Sequence, residues 1–423
     1  MLGYLTDRRK RRDRWWRCQV LKDAYIQDSA TFRPEQETLA RLSKAFRRLG
    51  YPMPESLRGF WRELLDVSAA HRPELAAGDS ERVEAFADSL DLSLLPASGW
   101  LDLFRFCIGL GLFQPAATLR DKALLRMIQD ASSPGASLSE RTMACYASLE
   151  LGEPHRAAEW LGMMETSGCP AQRCTQARWF SALMSGAHDG GADGLAWGSS
   201  LADPEFAHLI RGRRIAVVGP VASEVESGPD IDGYDVVVKF GYRGGERGRD
   251  PRFQGKRIDV SYYNNTQAET LAGADFAPVF SELRWGVCHN RKGCSFFRPA
   301  PDNLRQLTSL QWFLPDTHLN AGPNALLDLL RFRPSAIHVF NTDLMLSSGR
   351  FAGYREKGNE ETDYTRSFIK THDPILQYRI MHRLWSNGFI KGDARFEYVM
   401  TLGLEGYLLE LQKAYGAVNR VLF

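Results

Sequence analysis

The chain has little excess charge and no long hydrophobic run. Lys and Arg together number 53 against 51 Asp and Glu, so no protein-wide positive field attracts nucleic acid, and we expect no nucleic-acid partner. No apolar stretch approaches the roughly 18 to 20 residues that cross a bilayer. A secretory signal peptide is also lacking, because the first arginines lead into tryptophans and further charge. These absences predict a cytoplasmic protein.

Positive charge is concentrated in residues 8–17, which end with Trp15, Trp16 and Arg17. A run of this kind can rest peripherally on the inner face of an anionic membrane, with the rings at headgroup level. The alternative is a solvated N-terminal segment. We favour the solvated segment, because one short basic run is a weak signal.

The cysteines lack the pattern of a disulfide framework or a zinc site. Their number, seven, is odd, and they are scattered through the chain, which is typical of reduced thiols. Neither Cys169 and Cys174 nor Cys288 and Cys294 have the two-residue spacing of a zinc knuckle. We therefore predict core or surface thiols and no metal site.

Residues 1–200 predict an all-helical accessory domain, because apolar residues recur at helical spacing in 39–46 and 57–65. Residues 111–117 resemble residues 152–158, and in each copy a helix is expected to end at glycine before paired alanines. The domain is either a helical bundle or a set of TPR-like hairpin repeats, which could bind a protein partner or the acceptor. Gly-rich residues 185–194 predict a linker.

Residues 205–423 predict an α/β domain. Short apolar strands are expected at 215–218, 234–240, 257–263, 283–288 and 336–340, with helices at 324–330, 374–386 and 398–411. This alternation indicates a mainly parallel, Rossmann-like sheet. Ligands of such sheets bind beyond the carboxyl ends of the strands. Neither a Gly-x-Gly-x-x-Gly fingerprint nor a Walker sequence is found.

Three segments carry a resemblance. The first runs from Val217-Val218-Gly219 through 228–232 to 255–259, the second covers 320–327 and the strand ending at Asn341, and the third contains His372. In this order they resemble the motifs of glycosyltransferase family 29, the sialyltransferases, in its bacterial branch. The resemblance covers about residues 211–411. It implies a GT-A-variant sialyltransferase fold and transfer of a sugar acid, of sialic acid or Kdo type, from a CMP-activated donor to a glycan or glycolipid acceptor.

The resemblance also implies that the family's chemistry is inverting and needs no metal or other cofactor. A histidine has a suitable pKa to take the acceptor proton, so His372 is the expected base; the alternative is a helix-capping or surface histidine. Glycine lets backbone amides approach a phosphate, and hydroxyl or amide groups can hold the departing CMP. The expected donor-binding residues are Gly219, Pro220, Lys239, Tyr262, Tyr263, Asn264, Asn320, Gly322, Asn324 and Asn341. Asp343 is a single acid without a partner in an Asp-x-Asp pair, which favours a monophosphate donor.

The chain lacks the cysteine pair that joins the motifs in secretory-pathway members, as a reducing compartment predicts, and it also departs from the family at three polar positions. Pro220 and Gly241 stand where the family has asparagine, and Gln377 stands where it commonly has glutamate. One alternative is therefore a catalytically degenerate binding or scaffold protein, and another is a transferase that uses a different nucleotide sugar, such as a UDP-sugar. The arginines at 243, 247 and 249 lie among glycines, in a loop that either covers an anionic donor or is solvated; we favour the solvated loop.

Overall fold

The computed structural model describes most of the chain. The described residues are 13–25, 34–68, 78–187, 198, 200–245, 249–352, 354 and 364–422. Internal contacts divide the chain into two compact units: Met1–Leu151, Asp363–Ile375 and Leu404–Phe423 form the first, and Gly152–Thr362 and Leu376–Gly403 form the second. Most of the expected linker at 185–194 lies outside the described residues. The predicted functional boundary between residues 200 and 205 stays a prediction.

Every regular element that the structure describes in the first unit is a helix. Its helices are α1 (Arg14–Tyr25), α2 (Glu35–Leu49), α3 (Glu55–Ser68), α4 (Asp79–Ser89), a 3-10 turn (Leu92–Leu94), α5 (Ala97–Leu110), α6 (Phe113–Ala131), α7 (Leu138–Leu151), α17 (Thr365–Lys370) and nearly all of α20 (Gly403–Leu422). Helix α5 is buried on all sides from Gly99 to Leu110, as expected of a core helix. The rings of Tyr25 and Trp61 both pack on Phe106, with centroids 5.0 Å away.

Glycines end the helices where the repeat-like echo predicted. Gly111 follows α5 with a φ of 80°, and Gly152 follows α7 with a φ of 87°. A Cβ atom on Gly111 would lie 2.6 Å from the Cα of Gly416 in α20. Glycine is therefore needed at position 111 both to adopt the left-handed conformation and to admit the backbone of α20.

The end of the basic N-terminal run is engaged inside the first unit. Arg17 forms an ion pair of 2.6 Å with the buried Asp102, and the Arg48 guanidinium lies 5.1 Å from the ring centroid of Trp16. Residues 8–12 lie outside the described residues. Arg17 therefore differs from the solvated segment that we favoured, because a buried carboxylate holds its charge; peripheral membrane contact by residues 8–17 stays a prediction. In the described part of the chain, no helix combines the length and apolar character that crossing a bilayer requires.

A seven-stranded sheet forms the centre of the second unit. Its strands are β1 (Arg214–Val218), β2 (Val236–Phe240), β3 (Val260–Tyr263), β4 (Trp285–Cys288), β5 (Leu304–Gln306), β6 (Ala336–Phe340) and β7 (Lys391–Gly392). The order is β5-β4-β3-β2-β1-β6-β7, and every pairing is parallel. The predicted fold class, an α/β fold with a parallel sheet preceded by a helical region, is confirmed. The short strands β5 and β7 were not predicted.

Helices connect these strands and precede them. They are α8 (Pro154–Thr166), α9 (Ala171–Met184), α10 (Asp203–Ile210), α11 (Gly228–Asp232), α12 (Pro251–Gln254), α13 (Asn265–Ala272), α14 (Ala277–Glu282), α15 (Arg291–Ser295), α16 (Ala321–Leu330), α18 (Pro374–Ser386) and α19 (Ala394–Thr401). The single helix expected at 398–411 is instead the end of α19 and the beginning of α20. The chain breaks at Gly403, whose φ is 66°. All seven cysteines are free thiols, as their spacing predicted.

The sheet has a topological switch point at β1. Strands β1 to β5 are added in one direction, and β6 is then placed on the other side of β1. Connections that leave in opposite directions open a crevice at the carboxyl ends of β1 and β6, where open α/β sheets bind ligands. The first residues beyond these strands are Gly219 and Asn341.

A buried ionic cluster stabilises the second unit. The Arg305 guanidinium contacts Asp203 at 2.6 Å and Asp328 at 2.6 and 2.8 Å. Arg331 joins the same two carboxylates at 2.8 and 3.1 Å. Tyr262 adds a hydroxyl that donates to Asp328 at 2.8 Å. Two cations and two anions with shared hydrogen bonds balance each other in a site closed to water.

Candidate functional site

Gly219 lies where β1 and β6 end. Its N–H donates to the carbonyl of Phe340 at 2.8 Å. A Cβ atom at this position would lie 2.2 Å from the Thr342 hydroxyl and 2.4 Å from the Asn341 carbonyl oxygen. The chain itself therefore occupies the space that glycine provides. Glycine is required here for the close approach of two strand ends, and not only for a ligand.

Asn341 is the first residue beyond β6 and lies against Gly219. It is buried and has a φ of 52°, a left-handed conformation that asparagine tolerates well. Its N–H donates to Asp393 at 2.6 Å, and its side-chain amide nitrogen donates to the Phe253 carbonyl at 3.1 Å. These two bonds fix the orientation of the amide. Its oxygen Oδ1 is buried and has no hydrogen-bond partner in the described part of the chain.

Two further buried polar atoms, on residues close in the chain to Asn341 or to its partner Phe253, find no hydrogen-bond partner among the described residues. Asp343 pairs through one carboxylate oxygen with Arg395 at 2.8 Å, while its other oxygen, Oδ1, has no hydrogen-bond partner among the described residues. Gln254 follows Phe253, and its buried Nε2 also has no hydrogen-bond partner among the described residues. Buried polar atoms that remain unpaired carry a free-energy cost of about 1–3 kcal/mol each. An arrangement of two acceptors and one donor is suited to a polar ligand or to ordered water.

Sequence analysis missed Gln254 and Arg395. No local pattern singles them out, because α12 and α19 reach the crevice only through the fold. Asp343 was noted, but only as evidence against a metal-binding pair. Among the residues that the structure describes, no three His, Cys, Asp or Glu side chains converge as a metal site would need.

Three predicted ligand contacts point into the protein instead. Lys239 is buried, and its ammonium donates to the Gly255 carbonyl at 2.7 Å. Tyr262 belongs to the ionic cluster, and the hydroxyl of Tyr263 donates to the Tyr242 carbonyl at 2.8 Å. Burial raises the pKa of both tyrosines. Because these groups are closed to solvent and already bonded, we correct the expectation and leave all three out of the proposed site.

Asn264 caps a helix at the carboxyl end of β3. Its side-chain oxygen accepts from the N–H of Gln267 at 2.9 Å, and Gln267 accepts in return from the Asn264 N–H at 3.0 Å. This reciprocal capping box satisfies the first turn of α13. Asn264 is exposed at the sheet edge, so its predicted contact with the donor stays a prediction.

The predicted residues at the start of α16 contact the segment that follows β6. The side-chain nitrogen of Asn320 is 3.1 Å from the sulfur of Met345, which follows β6. Gly322 has no neighbour within 4 Å of an added Cβ atom, so the backbone is open there. Asn324 donates to the Leu319 carbonyl at 3.0 Å. The free amides of a helix start are suited to an anion.

Pro220 continues from Gly219 and holds a neighbouring segment. Its carbonyl accepts from the N–H of Phe351 at 3.1 Å, and Val221 forms an antiparallel bridge with Arg350. Pro220 therefore acts at this end of the sheet through its backbone carbonyl. The segment after β6 is fastened to the end of β1 by these contacts.

His372 belongs to the first unit, whereas the crevice lies in the second. It stands between α17 and α18, half-buried, and its N–H donates to the Ser367 carbonyl at 2.8 Å. Its neighbour Asp373 pairs with the buried Arg120 at 2.6 Å, and Arg120 also binds Glu150 at 2.7 Å. Asp373 therefore has a structural partner. The role of His372 as a base stays a prediction.

A second hollow, of about 230 Å³, lies at the carboxyl ends of β4 and β5. Its wall contains the amides of Gln172 and Gln176, the hydroxyls of Thr308 and Ser309, and the indole of Trp312. The indole nitrogen donates to Gln176 at 2.6 Å, which fixes the ring. Arg173 also lines the hollow, with its guanidinium carbon 5.2 Å from the ring centroid of Trp312. Amides, hydroxyls, a cation and an aromatic face are suited to a polar ligand.

Comparison with known proteins adds little. No family model matches the chain, and no curated protein is significantly similar to it. Among solved structures, the chain is similar to a mammalian sialyltransferase in complex with Gal-beta-1-3GalNAc-ortho-nitrophenol, with 14% identity over 56% of this chain and 84% of that one. The TM-score is 0.29, which is too low for this likeness to carry an argument about fold or activity.

Proposed function

We propose that this chain is an inverting, metal-independent glycosyltransferase that moves a sugar acid from a CMP-activated donor to a glycan hydroxyl. The crevice between β1 and β6 supports this proposal most directly. Gly219 and Asn341 meet there at a switch point. Two buried acceptor atoms, Oδ1 of Asn341 and Oδ1 of Asp343, receive no hydrogen bond from the described residues. The order of the three sequence motifs agrees with the same function.

Acceptor atoms in the crevice favour the nucleoside over the phosphate, because a phosphate offers no donors at neutral pH. A cytosine amine and the ribose hydroxyls are donors of the required kind. The amide of Asn341 cannot turn without losing its bond to Phe253, so a uracil carbonyl in the same place would face an oxygen. The CMP phosphate would then lie at the open start of α16, beside Gly322.

His372 is the proposed base, and the released CMP needs hydrogen-bond donors more than a strong acid. The acceptor glycan would use the hollow beside Trp312. The rival is a binding protein that keeps the crevice without turnover. It is favoured by the structural bonds of Gln377, which stands where the family has glutamate: this residue holds the backbone at Asn320 and His318.

A thermal-shift screen with CMP, UMP and a CMP-sugar tests the donor class, because only a bound ligand raises the unfolding midpoint. We expect stabilisation by CMP and not by UMP. A transfer assay with His372→Gln then tests the chemistry: we expect transfer to fall by roughly 10²–10⁴-fold while CMP binding persists. His208→Gln, at an exposed position on α10, is the matched control. CMP binding without transfer in the parent protein would support the rival.

A further inference from the structure

A small hollow lies at the carboxyl end of β2, next to the crevice. Its wall consists of the glycine-rich turn 241–245, Arg249, Phe351 and Tyr354. The hollow measures about 20 Å³, which is room for a group the size of a water molecule. The N–H of Phe351 donates to the Pro220 carbonyl. The segment that contains Phe351 therefore both lines this hollow and is hydrogen-bonded to the residue that follows Gly219 at the end of β1.

Arg249 places its charge against aromatic rings inside this hollow. Its guanidinium carbon lies 5.4 Å from the ring centroid of Tyr242 and 5.4 Å from that of Phe351. One nitrogen, Nη2, donates to the Phe240 carbonyl at 3.1 Å. The other, Nη1, is buried and finds no acceptor among the residues that the structure describes. The expectation of a solvated loop arginine is therefore wrong at position 249.

The charge of Arg249 is not neutralised by a carboxylate in the described part of the chain. The groups that act on it are the hydroxyls of Tyr242, Tyr263 and Tyr354 and a second cation, Arg243. Burial lowers the pKa of Arg249 to about 10. Arg243 donates to the Tyr354 carbonyl at 3.2 Å, and Glu282 is bonded to the hydroxyl of Tyr242. Arg249 as a whole is half-buried, and a cation that is partly removed from water without an anion is unfavourable.

Nη1 of Arg249 has no acceptor among the described residues, a second arginine lies beside it, and the walls are aromatic. Such a site is suited to a planar or tetrahedral oxyanion. We propose that this hollow receives one oxygen atom of a carboxylate or phosphate group of a small ligand, with Nη1 of Arg249 as the principal donor. The site lies beside the crevice and could receive the acid group of the donor sugar; only that assignment rests on the proposed function.

The test compares small anions with a neutral isostere. Acetate, inorganic phosphate and acetamide are titrated against the full chain, with the thermal midpoint and calorimetric heat as readouts. We expect saturable stabilisation by acetate or phosphate and none by acetamide. Acetate alone would indicate a carboxylate site, and phosphate alone a phosphate site. Arg249→Met should abolish the shift, and Arg249→Lys should retain part of it. Arg252→Met, at an exposed arginine paired with Asp250 at 2.7 Å, should respond like the parent protein.

Stability in anion-free buffer separates binding from a structural role. Arg249→Met should be as stable as the parent protein or more stable, because it removes a half-buried cation that pairs with no carboxylate among the described residues. An equal anion response in the parent and in Arg249→Met, or no response in the parent, would overturn the proposal, as would a clear loss of stability in both Arg249→Met and Arg249→Lys. CMP binding is read separately: stabilisation by CMP without an anion effect leaves the proposed function standing, and an anion effect without CMP binding leaves only this site.

Discussion

Gln377 holds the backbone that precedes α16 through two hydrogen bonds of opposite sense. Its side-chain oxygen accepts from the N–H of Asn320 at 3.0 Å, and its nitrogen donates to the carbonyl of His318 at 3.0 Å. The side chain is fully buried. A neutral amide both donates and accepts in this geometry, whereas an ionised carboxylate could only accept, which explains glutamine at the position where the resemblance led us to expect glutamate.

Gln377→Glu should therefore destabilise the fold. A carboxylate could still accept from Asn320 but could not donate to His318, and its charge would be buried. We expect a loss of about 2–4 kcal/mol at pH 8 from urea unfolding. Burial should raise the folded-state pKa of the new carboxyl above its unfolded value, so the loss should shrink at pH 5, where protonation restores a donor. Gln36→Glu, exposed on α2, is the control. Equal midpoints for Gln377→Glu and the parent at pH 8 would contradict this account.

Asp328→Asn should remove one of the two anions that neutralise Arg305 and Arg331. Breaking a buried pair from one side costs about 3–5 kcal/mol, because the remaining charge is uncompensated. Asp302→Asn, at an exposed acid, should change stability by no more than about 0.5 kcal/mol. Equilibrium unfolding of both variants measures the difference, and similar values for the two would refute the role of the cluster.

The same cluster predicts an acid response. Burial raises the pKa of Asp328, but Arg305 and Arg331 lower it more, so the net pKa lies below the usual value. A depressed folded-state pKa gives stability that is present above the unfolded-state pKa, about 3.9, and is lost as the pH falls through the folded value. The parent protein should therefore lose stability more steeply than Asp328→Asn below about pH 4. Parallel pH profiles would contradict this.

Gly219→Ala and Gly322→Ala separate packing from ligand contact. A methyl group at 219 would collide with backbone and hydroxyl atoms of Asn341 and Thr342, so we expect a loss of about 1–3 kcal/mol and of CMP binding. A methyl group at 322 meets nothing within 4 Å, and alanine favours the helix by up to about 1 kcal/mol. Gly322→Ala should fold well yet bind CMP more weakly. Unchanged CMP affinity in Gly322→Ala would contradict the proposal that the CMP phosphate binds at the start of α16.

Gly111→Ala and Gly50→Ala form a second matched pair. Both glycines end helices with positive φ values, 80° and 91°, so both substitutions strain the backbone by about 1–2 kcal/mol. Gly50 has no neighbour within 4 Å of an added Cβ atom, whereas Gly111 meets Gly416 at 2.6 Å. Gly111→Ala should be the less stable variant by a further 1–3 kcal/mol or so in thermal or urea unfolding. Equal losses would show that α20 yields at this contact.

Some site residues could be predicted because their position follows from chain order. Gly219, Pro220 and Asn341 come directly after strands, and parallel strands end at one edge of a sheet. Lys239, Tyr262 and Tyr263 could not be assigned in this way, because strand residues alternate between faces and their partners are remote. Asp328, for example, is 66 positions from Tyr262.

By itself, the sequence determined the helical first region, the parallel α/β region and the glycines at helix ends, since each depends on local periodicity or on φ. Tertiary structure alone decided which polar groups are satisfied. Arg249 is one of several similar arginines along the chain, and only folding leaves its Nη1 buried without an acceptor among the described residues. Gln377 likewise forms its two hydrogen bonds only because the fold brings His318 and Asn320 within reach. Hydrogen bonding depends on distances in space that local sequence does not encode.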